Sequence, residues 1–362
     1  MQSFHDLFNA EQLSTIRDAD LIMGHRHPTW CPLFYTDRVR AIDHLTQEAV
    51  PLIARQAGGE GWLKDLVPRL VDFQDIRNAS SSLAEIRAYA GLLNSGFSVA
   101  PIDRSDDSTP DFVVDAGDGP IIVEVFAKHQ DEAEDELLDA VHSSGSVNRS
   151  DVTRRSATVG GYTITTTICP ITPGGRPDPN KTHDSVQANV ISRVCSMKGN
   201  EKQIPDDRPA LLIADFTHFG PPGAAELLHS TQASPLLRGH HGIACGAMWY
   251  GMYGWNGAPV FEEQAHHLVR MAHDGRFRQT GKRKSKLSAA LLVFHKAVVL
   301  LENPWALNRL PNAARMALCR YPWFDLVNSI GDWQPGDAEK LVALQRSMIE
   351  VFERQHEANP LL

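Results

Sequence analysis

Apolar positions along the chain fall into two periods. In the first eighty residues they recur every three to four positions, the spacing of one helical face. Helix-period patterns cover Ala10 to Ala19 and Thr36 to Gln56; the run Gly58-Gly59-Glu60-Gly61 interrupts them and Trp62 to Val71 resumes them. A further helix is predicted from Ser82 to Asn94, with Leu83, Ile86, Ala90 and Leu93 on one face and small residues (Ala84, Ala88, Gly91) that permit close packing on a sheet. Asn94-Ser95-Gly96 is a stop signal. The period then changes. Phe97 to Ile102, Asp111 to Ala116 and Pro120 to Lys128 read as strands, the last two joined by the turn residues Gly117-Asp118-Gly119.

The second half repeats both patterns. Strands are predicted at 161–169, 211–216, 242–251, 287–294 and 297–301, and helices at 185–197, 261–272 and 338–356. Between them, Asp131 to Asp139 carries six acids in nine residues, and Ser143 to Ser156 has the composition of a loop, made mildly basic by Arg149, Arg154 and Arg155. That insertion is either a connection or a surface that touches substrate. Mixed strands and helices of this kind predict an α/β (α+β) protein, with residues 1–80 a helical region and residues 81–362 the core with its C-terminal elaborations.

The hairpin fixes a pairing. With the turn centred between Gly117 and Asp118, Asp115 faces Pro120 and Asp111 faces Glu124. Directly opposed residues hold their Cβ atoms roughly 4.5–5.5 Å apart. Two carboxylates at that spacing repel unless something positive lies between them, and a hard divalent cation takes oxygen ligands of this type. Glu124 sits inside Ile-Ile-Val-Glu-Val-Phe, where burial of an uncompensated carboxylate is costly. Glu85 precedes the hairpin on its helix, although Ser82-x-x-Glu85 also has the form of a capping box.

A helix bearing Glu85, then Pro110-Asp111, then Glu124 in the following strand resembles the PD-(D/E)XK nuclease superfamily over about fifty residues. The resemblance implies a restriction-endonuclease-like mixed central sheet flanked by helices. It implies Mg²⁺ or Mn²⁺ bound by Asp111, Glu124 and Glu85, and hydrolysis of a phosphodiester, most often in DNA. The lysine of E-x-K is replaced by Phe126. Lys128 is the next residue of that strand face, roughly 6.6 Å along, within reach of a lysine side chain. A protein that keeps the fold but has lost the chemistry, binding nucleic acid or a protein partner, is the alternative. Gln187 and Lys181 are further candidates by position.

Charge bears on the partner. The net charge is −9, so nucleic-acid binding needs a local basic surface. Arg276, Arg278, Lys282, Arg283, Lys284 and Lys286 place six positive charges in eleven residues, with Phe277 available to stack. The same run also reads as an exposed turn. His25, His27 and Cys31 form a small cluster that reads as a surface loop or an incomplete metal set, and Asp215, Thr217, His218, His266, His267 and His273 offer no clear constellation. Five scattered cysteines, no C-x-x-C, a polar N-terminus and no long apolar run predict a cytoplasmic protein outside the membrane. The oligomeric state is left open, a homodimer included. Phosphate-cradling and nucleophile-elbow motifs are absent from the sequence.

Overall fold

The computed structural model describes residues 1–18, 27–34, 41–103, 109–127, 153–159, 162–168, 201–217, 247–260, 269–271, 273–278, 285–295 and 297–334, with single positions beside them. Five helices come first: α1 (Ala10–Arg17), α2 (Trp30–Phe34), α3 (Ala41–Ala54), α4 (Gly59–Leu70) and α5 (Ile76–Asn94). The hairpin region gives β1 (Ser98–Pro101), β2 (Phe112–Asp115) and β3 (Pro120–Ala127). A separate ribbon, β4 (Thr153–Val159) and β5 (Tyr162–Ile168), follows, then β6 (Ala210–Asp215), α6 (Ala247–Tyr253), β7 (Pro259–Val260), β8 (Val269–Arg270), β9 (Ala289–Val293), β10 (Val298–Glu302) and α7 (Asn312–Leu318).

Six strands form one mixed sheet in the order β1-β2-β3-β6-β9-β10. β1, β2 and β3 are an antiparallel meander, β6 runs parallel to β3, β9 parallel to β6, and β10 returns antiparallel. The central strands read Ala-Leu-Leu-Ile-Ala-Asp and Ala-Ala-Leu-Leu-Val and are buried throughout, as expected of strands covered on both faces. Side chains alternate between those faces. Phe112, Val123, Val125, Leu211, Ile213 and Leu291 join the core that contains α5 and the N-terminal helices, whereas Ile122, Leu212, Ala214, Ala290 and Leu292 join α6 on the other side.

α5 begins six residues earlier than predicted, at Ile76, with Asp75 as its cap accepting from the Arg77 N–H. Ser82 is therefore mid-helix and its hydroxyl donates to the Asn78 carbonyl. The capping-box reading of Ser82 and Glu85 falls with it. Because α5 crosses residue 80, and Phe4, Ile53 and Leu63 share one core with the sheet, the N-terminal helices are a layer of the same core. Tyr89 of α5 packs between Trp62 and Phe112, with ring centroids 5.1 and 5.4 Å away.

Three sequence expectations change. Residues 247–253 are helical, where a strand was predicted; Trp249, Tyr250 and Tyr253 bury against the sheet at helical spacing. Val269 and Arg270 are in a strand paired with Pro259 and Val260, where a helix was predicted. Thr153 begins a strand inside what read as loop. The predicted strands at 211–216, 287–294 and 297–301 are present with small shifts of boundary. The acidic run 131–139 and nearly all of 185–197 lie outside the described residues. In 339–354 the described positions are helical and exposed. No helix among the described residues is long and apolar enough to cross a membrane.

Candidate metal centre

The β2–β3 register pairs Asp115 with Pro120 and Phe112 with Val123, as the turn chemistry predicts. The regular register stops there: Asp111 lies in a bend before β2, and its N–H donates to the carbonyl of Val123, the residue already paired with Phe112, at 3.1 Å. Beyond this point the ladder changes character. The Val125 N–H donates to the Asp111 carboxylate at 2.7 Å, so a side chain replaces the main chain of β2 as acceptor. This contact fixes the Asp111 carboxylate at the opening of the hairpin.

Glu124 lies between Ile122 and Phe126, which both pack into the α6-side core, so alternation places Glu124 on that face. It is 3% exposed. Two of the predicted acids are thus carried by the same hairpin, Asp111 in the bend before β2 and Glu124 within β3.

The third is not. Glu85 belongs to α5, on the opposite side of the sheet. Its carboxylate receives both terminal nitrogens of the Arg69 guanidinium, at 3.0 and 3.2 Å. Glu85 is thus engaged by a cation from α4, with the sheet between it and the face that carries Glu124. Phe126, in the E-x-K lysine position, packs into the apolar core. Lys128, Lys181 and Gln187 lie outside the described residues.

A second buried constellation went unnoticed in the sequence. Asp215 ends β6 on the α5 side, in register with Ala127 of β3 and Val293 of β9. Arg87 of α5 donates to it from Nε at 3.0 Å and from a terminal nitrogen at 2.6 Å, and donates to the Thr217 hydroxyl at 3.0 Å. The Thr217 N–H donates to the other Asp215 oxygen at 2.8 Å. Both charges are almost wholly buried. Tyr321 stands beside them, its hydroxyl donating to the Arg87 carbonyl. Burial, with the nearby Asp215 charge, pushes that phenol well above its usual range. The signal in the sequence was an acid at the end of an apolar strand, and an arginine amid the small residues of α5.

The described members of the basic run are engaged within the protein. Arg276 is 1% exposed. It pairs with Glu201 at 2.6 Å and donates to the Met197 carbonyl and the Ser285 hydroxyl. Phe277 is wholly buried and has no face to offer a base. Arg278 donates to the Tyr253 carbonyl and lies over the Trp305 ring at 4.7 Å; burial lowers its pKa. Lys286 binds the Ile204 carbonyl and pairs with Asp206. The Arg276 and Lys286 charges were matched by acids some eighty residues away, which local composition cannot reveal. Lys282, Arg283 and Lys284 lie outside the described residues.

The histidines are likewise resolved or unplaced. His27 is buried, its Nδ1 accepting from the Thr29 N–H and its Nε2 contacting the Asp72 carbonyl, so it is a core residue and not part of a surface loop. Cys31 is half-buried in α2, and His273 is exposed. His25, His218, His266 and His267 lie outside the described residues. No group of three or more His, Cys, Asp or Glu residues positioned for a metal occurs among the described residues.

The donor set of Asp111 and Glu124 nonetheless fits a hard divalent cation. Mg²⁺ is commonly held by one or two carboxylates, with water and substrate phosphates completing its shell. No family model, curated protein or solved structure matches the chain.

Proposed function

We propose that the chain is a restriction-endonuclease-like hydrolase that cuts phosphodiester bonds, in DNA, at a divalent cation held by Asp111 and Glu124. The observation that carries this reading is the hairpin, in which the Asp111 carboxylate takes the N–H of Val125, the residue after the buried Glu124. The element order supports it in part: a helix precedes the hairpin as the resemblance implies, whereas the next strand predicted after the hairpin, Tyr162–Ile168, lies in a separate ribbon and not in the central sheet.

Mg²⁺ or Mn²⁺ bound there supplies an activated water and offsets charge building on the phosphate. The chain's own residues set the conditions. Asp111 is held by the Val125 N–H and so presents its carboxylate with little freedom. Glu124 is fixed by its place in β3, which is flanked on both sides by β2 and β6. Its burial removes competing water, which strengthens every electrostatic contact it makes. Lys128 takes the part of the displaced lysine, orienting the attacking water and stabilising the developing negative charge. Glu85 has no part in the reaction under this proposal.

One specific observation favours a second reading, in which the fold binds nucleic acid or a protein without cutting. Phe126 fills the position of the E-x-K lysine and is packed as a core residue.

The test is cleavage of supercoiled plasmid in Mg²⁺. Asp111→Ala and Glu124→Ala are each expected to abolish it with circular dichroism unchanged. Cleavage that survives both substitutions contradicts the assignment, and no cleavage by the wild type turns the reading towards the second alternative.

A further inference from the structure

The corner that follows α6 brings two cations onto an aromatic floor. Tyr253 ends α6 and is buried, its hydroxyl donating to the Glu302 carbonyl at 2.8 Å. The Trp305 and Trp333 rings lie against it, with centroids 6.4 and 5.8 Å away. Arg278 donates from Nε to the Tyr253 carbonyl at 2.9 Å, and its guanidinium carbon is 4.7 Å from the centre of the Trp305 ring. Trp255 comes two residues after Tyr253, and the Arg346 guanidinium, from a helical position near the C-terminus, is 4.8 Å from the centre of its ring. Arg278, Trp255 and Trp305 are half-buried and Arg346 is exposed, so the corner is open to solvent.

Acids outnumber bases in this chain, 44 to 35, yet neither of these arginines forms an ion pair among the described residues. Every other described arginine that is not exposed has an acid partner, as Arg69 has Glu85 and Arg276 has Glu201. Arg278 faces a like charge instead: after burial, the Arg346 cation is what most lowers its pKa. Asp274 and Glu339 each oppose that effect less strongly, and the Asp274 carboxylate is engaged by the Asn256 N–H at 2.7 Å. A desolvated cation beside a second cation is costly until an anion meets both. The rings hold the two guanidiniums in place. Arg278 leaves its terminal nitrogens, the prongs that grip an oxyanion, uncommitted to an acceptor among the described residues. Charge selects among oxyanions. A carboxylate brings one negative charge, whereas a phosphate monoester brings about 1.5 to 2 at neutral pH, with three acceptor oxygens, enough to serve both forks.

We infer that Arg278 and Arg346, set against Trp305 and Trp255 at the corner after α6, bind a phosphate dianion, either free phosphate or the terminal phosphate of a larger molecule. Arg278, held by the Tyr253 carbonyl and the Trp305 ring, is the fixed half of the site. Arg346 is the half that the C-terminal helix delivers, so occupancy ties that helix to the corner. Neither arginine has a part in the proposed cleavage, and the site stands or falls independently of it.

The experiment is isothermal calorimetry of sodium phosphate and, separately, of adenosine 5′-monophosphate into the full chain, in EDTA at neutral pH. Saturable binding at a single site is expected in the wild type. Arg346→Gln removes one charge from an exposed helical position; it is expected to weaken binding about tenfold or more, with the phosphate-free thermal midpoint unchanged. Arg278→Lys keeps the charge and loses the fork, and the same weakening is expected. Arg55→Gln, which removes an exposed arginine of the N-terminal layer, should bind as the wild type does. Sodium acetate should give no saturable heat. Tighter binding of the nucleotide than of phosphate assigns the site to a phosphorylated molecule, and equal or weaker binding assigns it to free phosphate. A wild type that binds neither, an affinity in Arg346→Gln equal to the wild type, or acetate bound as tightly as phosphate overturns the proposal.

Discussion

Glu124 and Glu85 are both buried acids, and their partners separate their roles. Glu124 faces the α6 side, and the N–H of the next residue, Val125, donates to the Asp111 carboxylate. Glu85 faces the N-terminal helices and meets Arg69 in a two-point contact, with side chains 8% and 23% exposed. Glu85→Gln removes the charge and keeps the shape. It is expected to cost about 1–3 kcal/mol of stability, read from the urea midpoint, while cleavage per folded molecule stays at the wild-type rate. Loss of cleavage at unchanged stability would return Glu85 to the metal centre. At this scale the sequence was partly legible. The turn residues Gly117-Asp118-Gly119 set the pairing of Asp115 with Pro120 through Phe112 with Val123, because a hairpin register follows from its turn. The pairing of Arg87 with Asp215, 128 residues away, was hidden because nothing local records which cation meets which acid.

The elements show the same division between local and distant causes. β6, β9 and β10 were readable as apolar runs because both sheet faces are covered. α6 was misread because glycines and aromatics at 242–251 mimic a strand; the core contacts of Trp249, Tyr250 and Tyr253 override local preference. The start of β4 was taken for loop because Thr153 to Ser156 are polar and end a stretch of loop composition. α5 extends back to Ile76 through Ala79, Ser80 and Ser82, small residues that are buried there. Its packing is tight enough to predict a reversal of sign. Alanine for glycine inside a helix ordinarily stabilises by about 0.5–1 kcal/mol. At Gly91 the new methyl group would overlap the Tyr321 ring. Gly91→Ala is expected to destabilise by about 1–3 kcal/mol. Combined with Tyr321→Ala it should cost less than the sum of the two, since the second change makes room for the first. A thermal midpoint that rises in Gly91→Ala would show that the helix and the Tyr321 segment are not in contact.

For the molecule as a whole, the sheet is the divider. It keeps an ionic layer on the α5 side (Arg69 with Glu85, Arg87 with Asp215) apart from Glu124 on the other. The ionic layer ties α4, α5 and the end of β6 together, which accounts for charges that would otherwise be costly to bury. It also holds Glu85 on the side away from Glu124, although the two acids come in the expected order along the chain. Edges are managed as well. Phe324 and Ile330 bridge to Val298 and Leu301 along β10, and the Leu300 N–H donates to the Ser329 hydroxyl, so that edge is closed by the chain itself.

The measurement that bears most directly on the carboxylate pair is isothermal calorimetry of Mn²⁺ into the metal-free chain. The account predicts saturable binding in the wild type and in Glu85→Gln, and its loss in Asp111→Asn and in Glu124→Gln. Binding that persists in both of the latter, or that disappears in Glu85→Gln alone, would contradict it.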